Sequence, residues 1–182
     1  MDFVKNWVCR RAVLLTLCAS FAPVCGLNAQ DRSSTTAVVR DEMVDRVAIE
    51  RLVIEYYYLL DHGRASEIPA LFTSDAVFDN PNLGLRAVGH AAIRAYFAQR
   101  ATELRTTRHI STNLRLVFET PDRASGTRTI LYFRGDGGTP PFPAEPGSVG
   151  EYREVFQRGK DGRWRFAFRQ SELLFADPRA EP

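Results

Sequence analysis

Cysteine is confined to one end of this chain, which limits the chemistry that the rest can perform. The 182 residues include three cysteines, Cys9, Cys18 and Cys25, all within the first 29 positions. The remainder therefore has no disulfide, no thiolate metal ligand and no cysteine nucleophile. Its fold must depend on an apolar core, and about 150 residues are enough for one domain that buries much of its surface.

Long hydrophobic runs are also scarce, and the longest one belongs to a leader. Basic residues ending at Arg10 and Arg11 precede an apolar run over 12–24, and small residues follow before a polar segment. This layout predicts a secretory signal peptide with cleavage after Ala29, and hence export to the periplasm or the medium. The run is shorter than the roughly 20 residues of a membrane span, so we expect no stable span after cleavage; an uncleaved anchor is the alternative.

The chain beyond the leader has no excess charge of either sign, because it contains 21 basic and 21 acidic residues. Without a basic stripe or an aromatic-basic repeat, we expect no nucleic-acid partner. The three histidines, His62, His90 and His109, lack the spacing of zinc ligands, and no glycine-rich segment leads into a helix as a phosphate loop does. The sequence therefore predicts neither a metal nor a cofactor.

The chain divides into four predicted regions. A signal peptide over 1–29 precedes a flexible polar tether over 30–40, and a C-terminal tail covers 177–182. The single domain over 41–176 begins with a helix over 42–62, because this stretch has no glycine or proline and its apolar residues recur at helical spacing.

After the first helix, the predicted elements are short helices and strands up to residue 104 and long strands beyond it. We predict a short second helix over 65–72, strands over 76–79 and 85–88, a third helix over 90–104, and long strands over 107–119, 124–134, 149–157 and 164–175. The glycine- and proline-rich segment 135–147 is a long loop. Helices followed by consecutive long strands indicate an α+β domain, with the helices on one face of a curved antiparallel sheet.

Five motifs in order resemble the SnoaL-like branch of the NTF2-like superfamily over about residues 41–175. They are Tyr-x-x-x-x-Asp ending at Asp61, Leu-Phe-Thr-x-Asp-Ala-Val-Phe-Asp at 71–79, Gly-x-x-x-Ile-x-x-Tyr-Phe at 89–97, Arg-His-x-x-Thr-Asn at 108–113 and Asp-Gly-x-Trp-x-Phe at 161–166. The resemblance implies an NTF2-like cone, in which the sheet and N-terminal helices enclose a deep apolar pocket.

Within this superfamily the chain is most similar to cofactor-free lyases, among them hexachlorocyclohexane dehydrochlorinase, scytalone dehydratase and bile-acid 7α-dehydratase. The resemblance implies a catalytic pair, Asp61 from the first helix and His109 from the first long strand. It also implies an assisting role for Arg169 on the last strand and for Tyr56. One fold carries many activities, so the resemblance defines the reaction less closely than the fold.

Four further residues are candidates for substrate binding. Tyr57 is closer than Tyr56 to Asp61 in helical angle and is its rival. Asp79 ends a short strand at the expected pocket mouth, although a turn role is the simpler interpretation. Asn113 shares the polar face of its strand with His109. Tyr132 belongs to the strand Ile130-Leu131-Tyr132-Phe133, which corresponds to the one that carries a further aspartate in the bile-acid enzyme and has no counterpart of that aspartate here.

Strand alternation places His109 on a polar face, whereas the resemblance implies that it lines an apolar pocket. Strict alternation groups His109 with Ser111 and Asn113, on the face opposite Leu114 and Leu116. A bulge near Ser111 or a polar pocket wall would reconcile this polar face with an apolar pocket. By the same alternation, Arg169 would lie on the face opposite Trp164, Phe166 and Phe168.

The function that we predict is a cofactor-independent lyase, a dehydratase acting on a small hydrophobic ring substrate by an Asp–His proton shuttle. An isomerase or polyketide cyclase with the same shuttle, a non-catalytic carrier of small molecules, and a partner subunit like the dioxygenase β-subunits are the alternatives. We also expect a homo-oligomer, a trimer before a dimer, because Tyr152, Phe156 and Trp164 would leave an apolar outer sheet face that needs cover.

Overall fold

A computed structural model describes residues 29–137 and 139–176, with side chains from residue 41 onward. The elements in order are α1 (Ala29–Asp61), a 3₁₀ helix (Ala65–Leu71), β1 (Phe72–Asn80), a 3₁₀ turn (Pro81–Leu83), β2 (Leu85–Val88), α2 (Gly89–Arg100), β3 (Arg105–Thr120), β4 (Arg123–Asp136), β5 (Ser148–Arg158) and β6 (Trp164–Ala176). The predicted signal peptide and C-terminal tail lie almost entirely outside the described residues, so export stays a prediction.

Helix α1 is longer than the sequence pattern predicted. It begins at Ala29, so the backbone over 30–40 is helical and the expected flexible tether is wrong as a description of local structure. The physical reason is that residues 29–62 contain no glycine or proline. An existing helix therefore extends easily, because each added residue gains a backbone hydrogen bond without a new nucleation step. No helix within residues 29–137 and 139–176 is long and apolar enough to cross a membrane.

The sheet has six strands in the order β2-β1-β6-β5-β4-β3. All neighbours are antiparallel except β1 and β6, which pair in parallel, so the sheet is mixed rather than purely antiparallel. The four long strands β3–β6 are consecutive antiparallel neighbours, as predicted.

The core lies between the helices and the inner face of the sheet. Helix α1 contributes a stripe at helical spacing, and α2 and the strands contribute aromatic rings; the main buried members are Ile49, Leu52, Val53, Tyr56, Phe72, Ile93, Phe97, Phe156 and Phe166. Polar contacts hold α1 across this core, since Trp164 Nε1 donates to Asp45 at 3.0 Å and Arg46 donates to the Leu114 carbonyl at 2.9 Å. The first helix is therefore fixed against both β3 and β6.

The three aromatic residues predicted to form an apolar outer sheet face lie in the core instead: Phe156 and Trp164 are 0 % and 6 % exposed, and Tyr152 packs against the same core. They do not form an outer apolar face. Other large apolar side chains do remain exposed on the strands, among them Ile110 and Phe175, which are 52 % and 69 % exposed. Light scattering is expected to give a mass above that of one chain at micromolar concentration, because exposed apolar surface favours association; a clean monomer would reject the prediction.

Candidate active site

Asp61 is placed by the end of α1. Gly63 adopts φ +73°, and the Arg64 amide donates to the Leu59 carbonyl at 2.8 Å, which closes the helix in a Schellman-type turn. Asp61 thus occupies the last helical position, where the negative end of the helix dipole disfavours an anion. Donors outside the helix must compensate, and β3 supplies them.

Three donors from β3 converge on the Asp61 carboxylate. The Thr107 hydroxyl donates to Oδ1 at 2.7 Å, and the His109 backbone amide donates to Oδ2 at 2.8 Å. The His109 ring contributes the third bond, from Nδ1 to Oδ1 at 2.6 Å. Because an ionised carboxylate only accepts, this geometry assigns the proton to Nδ1 and leaves Nε2 as the ring nitrogen with the free lone pair.

A β-bulge explains why a polar face and an apolar face exchange along β3. The register shifts between Thr112 and Arg115, so that two residues of β3 face one residue of β4, and Asn113 adopts φ +58°. His109 and Ser111 point inward before the bulge, whereas Leu114 turns inward after it. A bulge in this region was one of the two predicted resolutions, and it lies two residues beyond Ser111.

The His109 ring is held between two tyrosine rings. Tyr57 stacks on it at 4.9 Å between centroids with planes 25° apart, and Tyr132 contacts it at 4.9 Å with planes 36° apart. The Asp61 and His109 side chains keep 6 % and 11 % of their area exposed. The pair is therefore largely withdrawn from water, with the imidazole plane fixed on both faces.

Burial and the pair interaction set the charges at pH 7. Burial lowers the pKa of His109, the hydrogen bond and charge of Asp61 oppose that effect, and the positive charges of Arg169 and Arg100 reinforce it. Burial acts to raise the pKa of Asp61, but the bonds from His109 and Thr107 outweigh it, so this pKa lies below its usual value. At neutral pH the pair is a carboxylate beside a neutral imidazole.

Behind Tyr57 lies a fully buried arginine cluster, formed by Arg128, Glu154, Arg169 and the Tyr57 hydroxyl. Arg128 binds Glu154 through two parallel bonds of 2.7 and 2.8 Å, and Arg169 Nε lies 3.4 Å from the same carboxylate. The Tyr57 oxygen accepts from Arg128 at 2.8 Å and from Arg169 at 2.7 Å. Tyr57 is thus fixed at its hydroxyl and presents its ring to His109.

Arg169 and Tyr56 occupy positions different from those predicted. The register of β5 and β6 shifts between Val155 and Phe156, so Arg169 faces inward together with Trp164 and Phe166 rather than opposite them. Its guanidinium is 0 % exposed and lies 3.5 Å from the centroid of the Tyr56 ring. Neither Arg169 nor Tyr56 makes a hydrogen bond or ring contact with His109, and Tyr57 is the helix residue whose ring stacks on the imidazole.

Two candidate substrate-binding residues lie apart from the pair. Asp79 on β1 accepts hydrogen bonds from Arg86 at 3.1 Å and from Gln170 at 2.8 Å, which link β2, β1 and β6. Asn113 is exposed and supplies the left-handed residue of the β3 bulge, a conformation that asparagine tolerates well. Asp79 therefore links neighbouring strands and Asn113 forms the β3 bulge, whereas Tyr57 and Tyr132 contact the His109 ring.

The interior differs from the deep apolar pocket that the resemblance implied. Around the Tyr57 hydroxyl, the space between α1 and the sheet is filled by the arginine cluster and by Tyr56, with Tyr152 covering Arg169 at 4.3 Å. A surface cavity of about 440 Å³ is lined by Phe72, Thr73, Ser74, Asp75, Gln157, Arg158, Gly159 and Arg165, and it does not include the Asp–His pair. In the part of the chain with described side chains, no group of three His, Asp or Glu residues could hold a metal ion.

Sequence reasoning missed the residues that support the pair, although a signal for them exists. Arg128 and Glu154 are charged residues within the inward phase of their strands, which is otherwise marked by Ala124, Ile130 and Phe156. A charge in the apolar phase of a strand indicates either a buried ion pair or a site. Thr107 shares the inward phase with His109 two residues later.

The model of the SnoaL-like domain matches residues 41–170. The chain belongs to the SnoaL-like domain family. Its fold is the NTF2-like, or cystatin-like, arrangement of N-terminal helices on a curved six-stranded sheet. No curated protein matches the chain at a significant level.

Solved structures share this fold across most of their length. A protein of Novosphingobium aromaticivorans named for a proposed scytalone dehydratase activity is 25 % identical, with a TM-score of 0.68, and the match covers 79 % of this chain and 93 % of that one. A type 2 hexachlorocyclohexane dehydrochlorinase is 19 % identical, with a TM-score of 0.63 and coverage of 77 % and 92 %. The β-subunit of a proposed aromatic-ring-hydroxylating dioxygenase from Novosphingobium aromaticivorans is 17 % identical, with a TM-score of 0.63 and coverage of 75 % and 93 %.

Proposed function

We propose that this SnoaL-like protein is a cofactor-independent lyase that eliminates water from a small hydrophobic ring substrate. The observation that carries the proposal is the 2.6 Å bond between His109 Nδ1 and Asp61, which leaves Nε2 unprotonated between two aromatic rings. A dehydratase name and a dehydrochlorinase name among the structural neighbours support an elimination rather than another use of the pair.

His109 is the general base in this mechanism. Its Nε2 takes a proton from a substrate carbon, the C–H electron pair becomes the new π bond, and the bond to the leaving oxygen breaks. The imidazolium then returns the proton to that oxygen, which leaves as water. Electrons and protons balance without an oxidant or reductant, so histidine alone can perform the proton transfers.

Asp61 is a positioning residue that acts through His109. Its charge stabilises the imidazolium and its geometry keeps the proton on Nδ1, as a buried aspartate does beside other catalytic histidines. The bonds from Thr107 and the His109 amide keep Asp61 ionised and in place. The Tyr57 and Tyr132 rings add cation–π attraction once the imidazole becomes charged.

The leaving oxygen receives its proton from the imidazolium, but it also needs a hydrogen-bond donor beside His109 that holds it in place. Tyr132 meets this requirement, because its ring contacts the imidazole and burial raises the pKa of its hydroxyl, which therefore stays protonated at neutral pH. Arg169, the donor suggested by the resemblance, is separated from His109 by Tyr57. It supports the site electrostatically, by lowering the pKa of the imidazole.

A direct test is loss of water from cyclic alcohols that carry an activating carbonyl group next to the C–H bond. Mass spectrometry should detect a product one water lighter with the wild-type protein, and none with His109→Gln. An isomerase using the same shuttle would give a product of unchanged mass, and a carrier would give no product. Either result with every ring substrate that binds would reject the lyase proposal.

The pH profile gives an independent prediction. Since the base must be neutral and its pKa lies below the usual 6.5, kcat/KM should be on its plateau at pH 7. It should fall as pH decreases through the lowered His109 pKa, with an acid midpoint below 6.5. A midpoint above 6.5 would mean that the Asp61 interaction outweighs burial, which contradicts the charge assignment used here.

A further inference from the structure

Arg100 occupies a position at which an apolar residue would be expected. The buried residues of α2 are Ile93, Phe97 and Arg100, spaced four and three apart on one face of the helix. The Arg100 side chain is 9 % exposed, while Arg94 on the same helix is exposed. A guanidinium this deeply buried requires an acceptor, because leaving its donors unpaired costs free energy.

Within the described residues, Glu103 is the only carboxylate paired with the Arg100 guanidinium, and it is shared with another arginine. Arg100 makes no side-chain hydrogen bond within the described residues, and its nearest carboxylate is Glu103, 3.5 Å from Nη1. Glu103 is bound more closely by Arg105, at 2.6 Å from Nη2, and the buried Arg105 Nε has no partner. The two guanidinium groups share one carboxylate, so these three side chains carry one more positive than negative charge. The neighbouring Arg134 and Asp136 pair with each other at 2.6 Å and leave that difference unchanged.

This arginine pair faces the same end of the domain as the Asp–His pair. Arg105 and His109 both belong to the inward phase of β3, four residues apart, which is about 13 Å along a strand. Arg100 acts electrostatically on His109 and on Tyr132.

We propose that Arg100 and Arg105 bind a carboxylate group of the substrate and so select a ring acid over a neutral ring. The inference rests on the proposed function for the reaction, but the binding itself does not depend on turnover. A singly charged carboxylate matches the single excess positive charge, and its two oxygens match the paired donors of a guanidinium. The carboxylate would displace Glu103 as the main acceptor of Arg100.

Benzoate and benzamide form a matched pair of probes, because they have the same size and differ in charge. Benzoate should bind the wild-type protein at least about tenfold more tightly, as charged hydrogen bonds contribute more than neutral ones. The ring signals of His109, identified with His109→Gln, should shift on binding. Arg100→Gln should abolish the preference and Arg105→Gln should reduce it, whereas Glu103→Gln should increase benzoate affinity several-fold.

Arg94→Gln on the exposed face of α2 is the control and should keep the preference. If Arg100→Gln does not fold, Arg105→Gln and Glu103→Gln decide the question. Equal affinity for the two probes, no benzoate binding at millimolar concentration, or an intact preference in the folded Arg100→Gln variant would overturn the proposal. A benzoate preference without elimination activity would reject the lyase function alone, and elimination with equal kcat/KM for ring acids and ring amides would reject this inference alone.

Discussion

His109→Ala is expected to lower kcat/KM by about 10²–10⁴, the range typical for loss of a general base. The reason is that, in the part of the chain with described side chains, the rings in contact with the imidazole are the phenols of Tyr57 and Tyr132, which are poor bases at neutral pH. Folding should survive, because the apolar contacts of β3 are made by Leu116 and Phe118 beyond the bulge. Steady-state kinetics on any substrate that is turned over, with circular dichroism for the fold, measures both.

Asp61→Asn should also be severe, since the amide removes the charge that stabilises the imidazolium and no longer fixes the proton on Nδ1. The double variant should be little slower than either single one, because the two residues act as one unit. His62→Gln is a matched control, because this neighbouring histidine is exposed and its Nδ1–H donates to the Tyr58 carbonyl at 2.7 Å rather than to the site. Near-normal rates in both single variants would exclude the mechanism even with the fold correct.

Glu154→Gln is expected to lower the free energy of unfolding by about 3–5 kcal/mol, the cost of breaking a buried ion pair by removing one partner. Glu154 is the only carboxylate that the described residues place against Arg128 and Arg169, and all three side chains are 0 % exposed. The substitution keeps the shape but leaves two buried guanidinium groups without a counter-charge. Urea denaturation followed by tryptophan fluorescence gives the difference.

Glu172→Gln provides the control for this experiment. Glu172 on β6 pairs with Arg153 on β5 at 2.8 Å, but both side chains are more than half exposed. Exposed pairs contribute little, so this change should leave stability almost unaltered. If Glu154→Gln cost no more than Glu172→Gln, the buried cluster would not be what holds Tyr57 in place.

Much of the fold could be predicted because local pattern and tertiary structure agree. The buried stripe of α1 has helical spacing, Gly63 marks the helix end, and β4 and β5 alternate regularly. The parallel pairing of β1 with β6 could not be predicted, since two short strands carry no signal for their partner. The start of α1 was also missed, because serine and threonine lower helix propensity without stopping a helix.

The pair itself could be predicted from motifs, but its surroundings could not. One extra residue in a strand reverses which side chains face inward, and this happens near Asn113 in β3 and near Ala167 in β6. Simple alternation therefore placed Arg169 on the wrong face. Helical angle already pointed to Tyr57 rather than Tyr56 as the neighbour of Asp61, and Tyr57 is the ring that stacks on His109.

Solvent-deuterium exchange tests the central claim most directly, namely that His109 Nε2 removes a proton from a substrate carbon. The protein is incubated in heavy water with a ring compound that binds but retains its leaving group, and the recovered compound is analysed by mass spectrometry and proton NMR. We predict deuterium at the carbon that loses the proton, with the wild-type protein and not with His109→Gln. Equal incorporation with both proteins, or no incorporation with the wild-type protein into a compound that it binds, would contradict the account.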